Sequence, residues 1–273
     1  MSSYESFDQH DVEIGGWRMH YVDMGTGPPV VIVHGSPISS YAFREQIAAL
    51  SSRFRIVAPD LLGFGQSEGP EEGASFPQQA DALCALLDQL SLGPFRLLGH
   101  DWGGPIGVGC AVRRLAEIQQ LVLINTTILA DFKPPRYWKP FTLRGIGNLL
   151  VVRMNLFSRG LPLMMPAARS AEVKQAYAQP LEARGLRQTV LALERLEGFE
   201  ELMSQVATEL PRLVDIPTLI IWGHPDRYFR TGELERLKNL FRAAVVHEIP
   251  GGGHFPQEDA PEAVTAALID FLD

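Results

Sequence analysis

Leu97-Leu98-Gly99-His100-Asp101-Trp102-Gly103-Gly104 is the stretch on which the reading of the chain turns. Ahead of it, Pro94-Phe95-Arg96-Leu97-Leu98 has the apolar character of a short buried strand. Behind it, Pro105 to Leu115 carries small and apolar residues suited to a helix packed on a sheet. Between them, Gly99-x-Asp101-x-Gly103 has the spacing of a nucleophile elbow, a sharp strand-to-helix turn that lifts one side chain above the sheet. Glycines flank the apex because a Cβ there would meet the neighbouring strand and helix. Such an apex usually carries Ser; here it carries Asp101. Taken alone, the spacing fits equally well a plain turn with Asp101 as a helix N-cap.

The sequence on either side decides between the two. Towards the N-terminus, Asp11 to Ile14 and Trp17 to Val22 alternate around Gly15-Gly16, which predicts a hairpin. Pro29-Val30-Val31-Ile32-Val33 is continuously apolar and β-branched, as in a strand buried on both faces. It ends in His34-Gly35-Ser36-Pro37 and is followed by a helix-like stretch from Tyr41 to Leu50. A second buried strand, Arg55 to Ala58, runs into Pro59-Asp60-Leu61-Leu62-Gly63-Phe64-Gly65-Gln66-Ser67, and Phe76 to Leu90 has helical spacing. Beyond the elbow come a strand over Ile118 to Ile124, a strand over Thr218 to Gly223 followed by His224-Pro225-Asp226-Arg227, and a strand over Ala244 to Ile249. The last leads into Pro250-Gly251-Gly252-Gly253-His254, and a closing helix spans Ala260 to Leu272. Strands alternating with helices predict an α/β fold with a mostly parallel sheet and its site at the carboxyl ends of the strands.

From Thr127 to about Pro211 the strand–helix rhythm stops. Pro, Phe, Met and Arg accumulate there, with helical stretches over Arg169 to Ala178 and Arg187 to Phe199. This predicts a core domain built from 1–126 and 212–273, with an inserted helical cap over 127–211 that shields the pocket from water.

The chain has 273 residues, 46% hydrophobic and 21% charged, enough for one large core and an inserted subdomain. A net charge of −8 argues against nucleic acid or an anionic membrane as partner. No apolar run reaches the ~18 residues of a membrane span. Met1 to His10 is polar and acidic, without the pattern of a secretory leader. Cys84 and Cys110 fall in apolar helix-like segments and make neither a metal nor a disulfide pattern, so a reducing cytoplasm is the default. A monomer is likewise the default.

His34-Gly35-x-Pro37, Asp60-x-x-Gly63-x-Gly65-x-Ser67 and Gly99-His100-Asp101-Trp102-Gly103-Gly104, in this order, resemble the α/β-hydrolases with an aspartate nucleophile. That group includes the haloalkane dehalogenases and the epoxide hydrolases. The resemblance covers essentially the whole chain and is weakest from Thr127 to Pro211. It implies Asp101 as nucleophile, His254 as base and Asp226 as the acid that orients it, in the chain order expected for the fold. Some members carry a catalytic Glu where this chain has Asn125. The backbone N–H groups of Ser36 and Trp102 would form an oxyanion hole. His34 is read as bonding backbone locally.

An aspartate nucleophile changes the chemistry. A carboxylate needs no base to attack a saturated carbon and displace a leaving group, giving an alkyl ester on Asp101. His254 then activates water against that ester. The resemblance implies a haloalkane dehalogenase that converts a small apolar halogenated substrate and water to alcohol and halide ion, with no cofactor and no metal. Trp102 would hold the halide through its indole N–H, a donor with no acceptor character. Dehalogenases commonly carry Asn or Glu where this chain has Ser36, so Trp138 is the candidate second donor, or else a hydrophobic contact between cap and core. An epoxide hydrolase is the alternative; there Leu193 stands where an acid tyrosine is expected, leaving Tyr137 or Tyr177. A non-catalytic ligand-binding protein is a third reading, disfavoured by the presence of Asp101, Asp226 and His254 together. Phe157, Leu161, Leu163, Met164 and Met165 are read either as pocket lining or as cap core.

Overall fold

The structure, a computed structural model, describes residues 4–156, 160, 171–178, 180 and 183–273. Eight strands form one sheet: β1 Gln9–Ile14, β2 Trp17–Met24, β3 Pro29–Val33, β4 Arg55–Pro59, β5 Phe95–His100, β6 Ile118–Ile124, β7 Thr218–His224 and β8 Val245–Pro250. Their order is β1-β2-β4-β3-β5-β6-β7-β8. β1 and β2 form the predicted antiparallel hairpin, β2 pairs antiparallel to β4, and every pair from β4 to β8 is parallel. Parallel strands need covering helices on both faces, which explains the unbroken apolar runs. Val30, Val31, Ile32 and Val33 of β3 and Leu121 to Ile124 of β6 are all buried.

Topology places the site. From β3 the chain passes through helix α1, Arg44–Leu50, to β4 on one side. From β4 it passes through helix α2, Phe76–Gln89, across to β5 on the other side of β3. The winding reverses between β3 and β5, and a crevice opens where the two loops diverge at the strands' carboxyl ends. Asp101 follows β5 at that point, and Gly35-Ser36 follows β3. Asn125, Asp226 and His254 follow β6, β7 and β8 on the same edge.

Between β6 and β7 lie short helical turns over Arg136–Trp138, Lys139–Thr142, Arg144–Gly147 and Asn148–Arg153, then helices Ala171–Ala178, Arg184–Glu194 and Phe199–Leu213. The single helix expected over Arg187 to Phe199 is in fact two. Gly198 breaks it in the left-handed region at φ 76°, where an L side chain is strained, and a Cβ there would come within 2.4 Å of Pro77. The helix Phe199–Leu213 packs back on α2 and on α3, Gly103–Ala111. Helix Thr231–Leu240, with its polar composition, was not anticipated. Phe157, Leu161, Leu163, Met164 and Met165 lie outside the described residues, as do the first residues of the expected Arg169 helix.

The expectation for the cysteines fails. Cys84 in α2 and Cys110 in α3 are joined in a disulfide, their Cα atoms 5.5 Å apart. The chain spacing hid this because it arises from the packing of α2 on α3, which no linear pattern reports. The ground for expecting a reducing compartment falls with it. Among the described residues, no helix is long and apolar enough to cross a membrane.

Candidate active site

Asp101 sits at the apex of the turn between β5 and α3 with φ 53°, a left-handed conformation uncommon outside glycine. Thr126, just past β6, holds the turn by donating its hydroxyl to the Asp101 carbonyl at 2.5 Å. The glycines are needed at close range. A Cβ on Gly103 would lie 2.1 Å from the Val33 carbonyl, and one on Gly35 would lie 2.2 Å from Asp101 Oδ1. The buried Asp101 carboxyl accepts the Ser36 backbone N–H on Oδ1 at 2.8 Å and faces His254 Nε2 across 3.3 Å on Oδ2.

His254 bridges two carboxylates, with Nδ1 2.9 Å from Asp226 Oδ2. Burial alone would lower its pKa, but the charges of Asp226 and Asp101 on either side outweigh that and raise it to about 10. The resting imidazole is therefore protonated and donates from both nitrogens. Burial acts on Asp226 in the opposite sense, to raise it. The facing His254, the Asn125 amide and backbone N–H donors hold it below the usual carboxylate range. Those backbone donors are Tyr228 at 2.7 Å and Phe229 at 3.0 Å, both on Oδ1.

Three residues take supporting places to which the sequence reading gave no role. Asn125 donates to Asp226 Oδ2 at 2.8 Å and to the Gly223 carbonyl at 3.1 Å, and its own Oδ1 accepts the Gly223 N–H at 2.7 Å. It thereby clamps Asp226, which follows β7. His100 donates from Nε2 to the His254 carbonyl at 2.9 Å, and burial lowers its pKa to about 4, so it stays neutral. His34 bonds backbone as expected: Nδ1 donates to the Gly35 carbonyl at 2.7 Å and Nε2 accepts the Leu61 N–H at 2.9 Å.

The third is Glu194, at the end of helix Arg184–Glu194. A cavity of about 210 Å³ opens over Asp101 and is also lined by Ser36, Trp138, Glu194, Tyr228 and His254. Trp138 does not present a free indole to it. Its Nε1 donates to Glu194 Oε2, which also accepts the Tyr228 hydroxyl at 3.1 Å. The hydrophobic contact is present, with the Trp138 ring packed 4.9 Å from that of Tyr228, and the N–H is taken by a partner to which the sequence reading gave no role. Burial raises Glu194, the nearby Asp101 charge raises it further, and the Trp138 and Tyr228 donors only partly oppose this; its pKa reaches about 7. A signal existed in the sequence. Leu186, Val190, Leu193 and Glu194 share one helical face, and a carboxyl at the end of an apolar stripe is out of place there.

Trp102 is fully buried and ringed edge-on by Phe76, Phe132, Phe199, Tyr228 and Phe229, with centroids 5.1–5.8 Å away. Its indole N–H makes no hydrogen bond among the described residues, and neither does the buried Ser36 hydroxyl. The two tyrosines considered as acids lie elsewhere. Tyr137 is half exposed and donates to the Arg227 carbonyl, whereas Tyr177 donates to Glu258 at 2.6 Å. Among the described residues, no group of three or more His, Cys, Asp or Glu side chains could hold a metal ion.

A model of the alpha/beta hydrolase fold matches residues 28–261. Haloalkane dehalogenase 2 of Mycobacterium tuberculosis is 36% identical over 259 residues, covering 93% of this chain and 91% of that protein. The chain is an alpha/beta hydrolase of the haloalkane dehalogenase family. Cis-3-alkyl-4-alkyloxetan-2-one decarboxylase of Shewanella oneidensis is 32% identical, covering 97% of this chain and 88% of that one. The crystal structure of the haloalkane dehalogenase DatA from Agrobacterium tumefaciens C58 superposes with a TM-score of 0.86 at 26% identity, over 97% of this chain and 95% of that one.

Proposed function

We propose that this alpha/beta hydrolase cleaves carbon–halogen bonds through an alkyl ester on Asp101. The observation that carries the reading is the arrangement of that carboxylate. The elbow fixes it, Ser36 N–H holds one oxygen at 2.8 Å, and His254, backed by Asp226, stands 3.3 Å from the other. The carboxylate attacks the carbon in line, and the carbon–halogen bond breaks with its electron pair leaving on the halide. The unpartnered indole N–H of Trp102 is the donor available to that ion.

Forming the ester removes the Asp101 charge, one of the two that keep His254 protonated. His254 then releases its Nε2 proton to solvent, the proton that accompanies the halide in the overall reaction, and becomes a neutral base still oriented by Asp226. Water gives a proton to His254 and its oxygen to the Asp101 carbonyl carbon, with Ser36 N–H on the oxyanion. Collapse expels the alcohol and restores the carboxylate. The helices of 127–211 close the pocket over this chemistry as a cap. The reaction uses a small apolar substrate and water, with no cofactor.

The test is bromide release from a short series of 1-bromoalkanes. Wild-type protein releases bromide, whereas Asp101→Ala falls to background; equal release by both would end the proposal. A second reading, attack on a strained oxygen ring, is favoured by one observation. Glu194 puts a protonatable carboxyl in the cavity, where halide departure asks only for N–H donors.

A further inference from the structure

Glu194 has no task in carbon–halogen cleavage, yet it is 3% exposed and lines the cavity together with the nucleophile. Burying a carboxyl beside a second carboxylate is costly unless it is partnered, and two donors from different parts of the chain converge on it. Trp138 comes from the inserted helices and Tyr228 from the loop after β7. Both donate to Oε2, so the proton of the neutral acid sits on Oε1. The titratable groups facing Glu194 are Asp101 after β5 and Tyr228 after β7, with His254 after β8 bonded to Asp101 in turn.

We propose that Glu194 is a general acid, and that it equips the site to open strained cyclic ethers by protonating the oxygen that Asp101 displaces. The inference rests on Asp101 being the nucleophile. In-line attack sends the leaving atom away from the attacking oxygen. His254 is held on Asp101 itself, whereas Glu194 enters the same cavity from the inserted helices. Asp101 forms a bond to the ring carbon, the carbon–oxygen bond breaks, and its electron pair takes the Glu194 proton to give a hydroxyl. The resulting Glu194 carboxylate is held by the Trp138 N–H and the Tyr228 O–H. Once the ester forms, the Nε2 proton of His254 passes through solvent to the Glu194 carboxylate. Water then gives one proton to His254, its oxygen to the ester carbon and its second proton to the departing alkoxide, which yields a diol and restores the Asp101 carboxylate. Atoms and charge balance as epoxide plus water giving diol.

The burial of Glu194 and its pKa near 7 set the pH dependence: the acid is present below neutrality and lost as pH rises through about 7. At pH 8 its carboxylate faces Asp101 and opposes the arrival of a second negative charge, so the same residue slows halide departure.

The experiment compares wild type with Glu194→Gln on two probes, styrene oxide and 1-bromohexane, from pH 5.5 to 8.5. Intact mass of the His254→Phe protein reads the Asp101 ester separately for each probe. The expected result has opposite signs. Diol formation falls by about 100-fold or more in Glu194→Gln, while bromide release at pH 8 rises several-fold. Wild-type diol formation declines through neutrality. A variant that loses both activities in parallel, one that keeps diol formation, or a wild type that opens no epoxide overturns the proposal. An ester from bromohexane but none from styrene oxide overturns the role of Glu194 alone. No ester from either probe overturns the nucleophile reading itself.

Discussion

The carboxyl edge of the sheet and the helices inserted between β6 and β7 contribute to one cavity on different terms. Along the sheet edge, Asp101, Asn125, Asp226 and His254 each follow a buried strand, and each has its polar atoms held by backbone or by one another. Their placement follows from strand order. The inserted helices supply Trp138 and Glu194, whose contact depends on how short helical turns settle against one another. In the proposed mechanism the sheet edge would make the bond to carbon and hydrolyse the ester, and the insertion would decide which leaving group is helped away.

Changes on the sheet edge should stall the reaction after the first bond is made. Asp226→Asn keeps the shape but removes the charge that sustains His254 as a base. Ester hydrolysis is expected to slow by about 10⁴-fold, by analogy with the loss of a triad aspartate. The ester should still form, so a stoichiometric burst of bromide without turnover is the sign; a burst lost along with turnover would break the division of labour.

A smaller effect is expected at the joint between the two regions. Glu258, after β8, is buried against Arg44 of α1 and accepts the Tyr177 hydroxyl from helix Ala171–Ala178 at 2.6 Å. Burial alone would lower Arg44, but Glu258 outweighs this and raises it, so the guanidinium stays charged. Glu258→Ala leaves a buried guanidinium unpaired and should cost about 3–5 kcal/mol of stability, read by denaturant unfolding. A change below about 1 kcal/mol would show that the joint is not needed to hold the two regions together.

The same contrast explains what could be read from the sequence. The β-branched runs, the glycine-flanked turn at Asp101 and the glycine-led His254 are local signals, and strand order converts them into a site without further information. Asp226 was found because it follows β7 directly. Asn125 was noticed only as an absence, since its value lies in bonds to Gly223 and Asp226, about 100 positions away. Trp138 and Glu194 are 56 residues apart and meet only through the fold of the insertion. Leu193, at the tyrosine's place, directly precedes the carboxyl that lines the cavity. The Cys84–Cys110 bridge is of the same kind, a contact between helices with no trace in either helix alone.

The central claim is that Asp101 attacks carbon and is itself regenerated by water. One turnover of excess enzyme on 1-bromohexane in heavy-oxygen water tests it most directly. The account predicts an alcohol carrying ordinary oxygen and a heavy oxygen retained in the peptide containing Asp101. Heavy oxygen in the first-turnover alcohol, with none in that peptide, would mean that water attacks the substrate directly and would contradict it.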